Sequence, residues 1–149
     1  MSVPKSVIKI NKDGVKYVSN VDRARYTLKE LTRAALRDVG KYVCKKFKTS
    51  YYSRFKRKTG KVGKYVQYWV RNKQPTPNLQ VGIKANGFYG GFQELGTSKL
   101  PKMGLLSRAV ENNIAEIVKI ESQYLSALEK EAKALALINA NKYEGDADG

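Results

Sequence analysis

The chain has 149 residues, one cysteine and no histidine; it is of single-domain size and can bury roughly 70% of the surface its unfolded form exposes, enough for one core without covalent staples. A lone Cys44 excludes an intrachain disulfide, and the missing histidines remove the common zinc sites and the Ser-His and Cys-His nucleophile pairs, so no metal, no cofactor and no enzymatic activity are expected. The net charge of +16 is concentrated, residues 1–75 holding 21 Lys+Arg against 4 Asp+Glu and residues 76–149 holding 8 against 9, and such a field attracts polyanions, nucleic acid first.

There is no run of eighteen apolar residues and no signal-peptide pattern, so a soluble protein made in the cytoplasm is expected, with no membrane partner. Along the chain, Val7–Ile10 and Val15–Val18 flank Asp13-Gly14 and read as two short strands around a tight turn. Ser19 to Asp22 can open a helix, and Thr27-Leu28-Lys29-Glu30 offers a second start. From there Leu28, Leu31, Ala35, Val39, Tyr42, Val43 and Phe47 recur at steps of three and four, one face of a helix turned to the core. Cys44 belongs among these as a small buried hydrophobe. Lys29, Arg33, Arg37, Lys41 and Lys45 follow one another by four on the opposite side, a stacked positive row whose self-repulsion a bound polyanion would relieve.

The helix is expected to fray over Arg54 to Lys58 and to stop before Thr59-Gly60. Tyr65–Arg71 and Leu79–Lys84 then read as an antiparallel hairpin joined by residues 73–78, with Leu79, Val81 and Ile83 on its covered face. Trp69 and its neighbouring tyrosines are read as core or interface anchors. Residues 86–104, rich in glycine and proline, read as one long connection, in which Gly90, Gly91 and Gly96 are expected to serve positive φ. They do not form a phosphate-cradling loop, since the Lys-Ser/Thr and helix start of that motif are absent. From Leu105 a second helix begins, with Leu106, Val110, Ile114, Ile117, Tyr124, Leu128 and Leu135 as its apolar positions. Unbroken to Ile138 it would span roughly 50 Å, so its distal part is expected to project or to pack on another subunit. A single domain over residues 1–140 is followed by an acidic tail, 141–149, expected to be disordered. The fold class is α+β, long N- and C-terminal helices packed on a small, mainly antiparallel sheet.

The stretch Phe88-Tyr89-Gly90-Gly91-Phe92-Gln93-Glu94-Leu95-Gly96-Thr97, with Pro101 and a helix after it, resembles the tail-component family of long-tailed bacteriophages, small neck or tail-completion proteins. Lys58-Thr59-Gly60-Lys61 before a strand is similar to the same family's Thr-Gly segment, and the order of elements agrees over roughly residues 22 to 120. Lys58, where an acid is usual, Leu95, where an aromatic is usual, and Gly104-Leu105-Leu106, in place of a second proline and an aromatic, depart from that pattern.

The resemblance implies a non-enzymatic structural protein of the virion, a ring of six copies at the head-tail joint, between the head connector and the tail tube or tail terminator, with double-stranded DNA in its lumen. Lys41, Lys45, Lys48, Arg54, Lys56, Arg57, Lys58, Lys61 and Lys64 are then the candidates for contact with DNA phosphates, and Tyr51, Tyr52 and Phe55 are interleaved among them. Tyr89, Phe92, Glu94, Gly96 and Thr97 are the candidates for an intersubunit loop. The other reading of Glu94 is local, a carboxylate satisfying N–H groups of the Gly96-Thr97 turn or pairing with a nearby lysine. Two alternatives stand beside the joining role: a tail terminator capping the tube, and a sequence-independent DNA-binding protein.

Overall fold

The computed structural model describes residues 3–5, 7–55, 61–71, 76–87, 89–99 and 101–145. It is α+β, as the pattern predicts. Strands β1 (Val7–Lys12) and β2 (Val15–Ser19) pair antiparallel, with Lys12 opposite Val15 and a register shift between Ile8 and Ile10. Asp13 and Gly14 both take positive φ, 52° and 78°, which a two-residue hairpin turn requires.

Helix α1 (Val21–Arg54) starts at the earlier of the two expected points, the Asn20 carbonyl accepting from Ala24 N–H at 2.9 Å. Thr27 does not cap a helix; it lies inside α1, its hydroxyl donating to the Arg23 carbonyl at 3.0 Å. With its polar group satisfied, Thr27 is buried, and it begins a row of i,i+4 positions, Thr27, Leu31, Ala35, Val39, Val43, Phe47 and Tyr51, all buried. Leu28, expected in the core, is one residue off this row and therefore about 100° around the helix; it is 50% exposed.

Helix α2 (Lys61–Tyr65), a single turn that the sequence pattern does not predict, leads into β3 (Val66–Arg71), which pairs antiparallel with β4 (Asn78–Ile83), Val66 opposite Ile83 and Arg71 opposite Asn78. Helix α3 (Tyr89–Leu95) follows a 3-10 turn at Ala85–Gly87, so the stretch read as a long connection is largely helical. The expected long C-terminal helix is broken into α4 (Leu105–Glu111), α5 (Ile114–Ser126) and α6 (Glu131–Gly145). At the first break Asn113 donates from Nδ2 to the Ala109 carbonyl (2.8 Å) and accepts from the Tyr42 hydroxyl (3.0 Å), while its own carbonyl opens α5. The second break is at Lys130, whose extended backbone (φ −131°, ψ 110°) separates a 3-10 turn from α6. Val110, Ile114 and Leu128, apolar positions of the expected helix, are exposed. No described helix is long and apolar enough to cross a membrane.

Where the sequence reads as one domain, the chain groups into two compact units: Met1–Ala34 with Gln123–Gly149, and Ala35–Ser122. In the first, Leu31, Ala34, Tyr124, Ala127, Ala134 and Ile138 are buried, and Arg23 Nε donates to the Glu131 carboxylate, tying the start of α1 to the start of α6. The distal helix is thus packed within its own chain. Helix α6 continues through residues 141–145, part of the segment read as an acidic tail; 146–149 lie outside the described residues.

The second unit holds the larger core, Val39, Val43, Cys44, Phe47, Tyr51, Val62, Val66 and Ala109, with Leu79, Val81 and Ile83 of β4 packed on it as the alternation predicts. Gly90 of α3 serves this packing and not positive φ: a Cβ there would lie 2.6 Å from Ile83 Cδ1 and 2.8 Å from Val62 Cγ1. Alanine at Gly90 gains about 1 kcal/mol of helix propensity, but overpacking against the stiff, buried Val62 costs about 1–3 kcal/mol. A net loss of about 1 kcal/mol in urea unfolding is expected, and a stabilised variant would show that the close approach is not real.

Candidate functional site

Two sets of residues stand out, the turn around Glu94 and the basic side of α1. Glu94 is the last residue but one of α3, and Gly96 stops that helix with φ 78°, its N–H donating to the Phe92 carbonyl at 2.8 Å. This is the left-handed helix ending that glycine tolerates. Thr97 Oγ1 then accepts from Lys99 N–H (3.3 Å), and the segment returns so that Met103 N–H meets the Gln93 carbonyl (2.9 Å) and Gly104 N–H the Glu94 carbonyl (3.3 Å). Gly104, also left-handed at φ 58°, precedes α4 and has no side chain with which to cap it.

Glu94 supplies that cap. Its carboxylate accepts from Leu106 N–H (2.8 Å), Ser107 N–H (2.9 Å) and the Ser107 hydroxyl (2.9 Å). These are the second and third residues of α4, whose N–H groups have no partner within the helix and sit at the positive end of its dipole. The local reading of Glu94 is thereby corrected in its partner: the carboxylate caps not the Gly96-Thr97 turn but a helix that begins eleven residues on. Of the remaining loop candidates, Phe92 and Thr97 are exposed and Tyr89 opens α3. Gly91, with no atom within 4 Å of an added Cβ, shows neither positive φ nor close packing.

Among the phosphate candidates, Lys45, Lys48, Arg54 and Lys64 are exposed, Lys41 is half-buried, and Lys61 opens α2. Lys56, Arg57 and Lys58 lie outside the described residues, as does Thr59-Gly60. Lys41, Lys45 and Lys48 follow one another at i, i+4 and i+7 and share a side of α1, whereas Arg54, nine residues from Lys45, falls about half a turn away. Lys46, outside the four-residue pattern, is exposed about 100° around the helix from Lys45, with Nζ 5.4 Å from the centre of the Tyr42 ring. The stacked basic row is not uniformly solvated: Arg33, Arg37 and Lys41 are half-buried, and Arg33 Nη1 donates to Glu30 at 2.8 Å.

The interleaved aromatics belong to the core. Tyr51 is buried, stacked on Phe47 (ring centres 5.8 Å apart) and packed against Phe55 (4.7 Å) and Tyr52 (5.7 Å), so it offers no face to a base. Trp69 is 40% exposed on β3. Cys44 is buried and its thiol is pushed up from its ordinary value by loss of solvation, which nearby Lys48 partly opposes; a thiol held neutral is a poor nucleophile. Among the described residues no group of three or more Asp, Glu, His and Cys side chains could hold a metal ion. Comparison with family models, with curated proteins and with solved structures finds no match to this chain.

Proposed function

We propose that this chain is a non-enzymatic structural protein of a bacteriophage head-tail joint, repeated as a ring of six copies around the DNA channel between head connector and tail tube. The observation that carries the reading is the turn at Glu94-Leu95-Gly96-Thr97, the stretch on which the resemblance rests. Its polar and glycine positions each shape the backbone, since the acid caps the next helix, the glycine ends the one before, and the threonine holds the turn between. A long helix, an antiparallel hairpin, this turn and a further helix follow in the order that the resemblance implies.

In this reading the side of α1 bearing Lys41, Lys45 and Lys48 faces the duplex and holds it through its phosphates, which position without specifying sequence. The concentration of charge in residues 1–75 also favours the second reading, a sequence-independent DNA-binding protein. Replacing Lys45 and Lys48 together by alanine is expected to weaken binding of a short duplex several-fold at low salt and to reduce the dependence of log affinity on log salt by up to about 2. Unchanged binding would remove this side of α1 from both readings.

The experiment that tests the joining role is disruption of the gene in the phage, with the lysate imaged by negative-stain electron microscopy. Filled heads beside separate tails of normal length are expected. Overlong or ragged tails would reassign the protein to termination of the tube, and intact infectious virions would overturn the structural role.

A further inference from the structure

The unit Ala35–Ser122 exposes two apolar patches in opposite electrostatic settings. On α3, Phe92 and Leu95 are three residues apart and share a side; they are 49% and 75% exposed. The returning segment after Gly96 brings exposed Lys99 and Lys102 to the same end of this helix. Glu94 is the one acid between Asp38 and Glu111 in the sequence, and its oxygens are engaged at the start of α4.

The second patch is on α5, where Ile114 and Val118 step by four and are 56% and 51% exposed, with Val110, 39% exposed, at the end of α4 before it. Helix α5 already turns Ile117 and Ile120 to the core, so burial within the chain does not account for this second apolar side. Glu121 stands three residues past Val118 on the same side. Glu111 stands just before α5 at the end of α4, while Lys119, one residue after Val118, is directed about 100° away from this side and Glu116 about 160° away.

We propose that these patches are the two halves of one interface between copies of this chain: Phe92 and Leu95 of one copy seat on Ile114 and Val118 of the next, with Lys99 and Lys102 facing Glu121 and Glu111. The occupant is a second copy because the chain itself carries both members of a complementary pair, one apolar and basic, the other apolar and acidic, and exposed apolar patches with polar rims mark interaction surfaces. Two different patches make the contact head-to-tail, which closes into a ring or continues as a filament according to the rotation between copies. The proposal deepens the reading of this chain as a repeating unit of an assembly and rests on it.

The test uses full-length Leu95→Glu and Ile114→Glu, purified separately, with sedimentation velocity as readout. Both sites are more than half exposed, so melting temperatures close to the parent are expected and are measured alongside. The parent is expected as a multi-subunit species and each variant as a single copy. Mixed in equal amounts, the two variants are expected to give a species of two copies and no larger one, since each supplies the surface that the other has lost. A parent that is a single copy at every concentration reached, variants that still assemble, or a mixture without the two-copy species would overturn the proposal. The outcome is separable from the phage role: intact virions after gene disruption leave an assembling parent in place, and separated heads and tails leave the joining role in place if the parent is a single copy.

Discussion

Replacing Phe47 by alanine is expected to cost about 3–5 kcal/mol, the range for removing an aromatic ring from a packed interior. Phe47 is 2% exposed in the middle of α1, stacked on Tyr51, and it belongs to the same buried cluster as Val43, Val62, Val66 and Ala109. The cluster draws on α1, α2, β3 and α4, so removing the ring opens a cavity in the core these elements share. Against a total stability of typically 5–15 kcal/mol, this is a large fraction of what holds the chain folded. The check is urea unfolding followed by the fluorescence of Trp69, the one tryptophan, which lies in the same unit. A loss under about 1 kcal/mol, the size typical of an average substitution, would show that this part of the core is not packed as described.

The second large effect is expected at Glu94. Alanine there leaves the N–H groups of Leu106 and Ser107 and the Ser107 hydroxyl without their acceptor, and helix caps and hydrogen bonds to a charged group together suggest a cost of about 2 kcal/mol. For a chain of this length that lowers the midpoint of thermal unfolding by roughly 4–8 °C. Glutamine keeps one oxygen acceptor but neither the charge nor the second oxygen, so Glu94→Gln is expected to fall between alanine and the parent. The measurement is thermal unfolding by circular dichroism on dilute protein, where contacts between copies do not contribute. If both variants melt with the parent, Glu94 is not the cap of α4 and the intersubunit reading regains its ground.

The parts of this structure that are legible in the sequence are those governed by near neighbours along the chain. Asp13-Gly14 allows few conformations other than a tight turn, and the mixed three- and four-residue steps of Leu28, Leu31, Ala35, Val39, Tyr42, Val43 and Phe47 fit a helix and not the even spacing of a strand. The hairpin of β3 and β4 is legible from the alternation of Leu79, Val81 and Ile83. What is not legible depends on groups far away along the chain. The break before α5 rests on a hydrogen bond between Asn113 and Tyr42, which are 71 positions apart, and asparagine inside a helical pattern does not announce it. Helix α3 is hidden by Gly90 and Gly91, which locally favour a loop; the need for glycine at position 90 emerges only when Val62 and Ile83 are seen against it.

The candidate site divides in the same way. That Glu94 matters can be read from an acid standing alone in a long basic stretch, but its partner, the start of α4, cannot, because Gly104 before that helix only implies that a cap must come from elsewhere. The charge of α1 is legible as a row, and its partial burial is not. Burial of Arg33, Arg37 and Lys41 is a property of how the surrounding elements close around the helix, and the one cue in the sequence is Glu30, three residues before Arg33.

The buried row of α1 also determines where this chain can change in length. From Thr27 to Tyr51 a row of buried side chains is spaced by four positions, so deleting or inserting one residue inside that span turns everything beyond it by about 100° and moves a whole row of core positions into water. The break at Lys130, where the backbone is extended, carries no such phase across it. Drift in length among descendants of this protein is therefore excluded from the long helix and admitted at that joint.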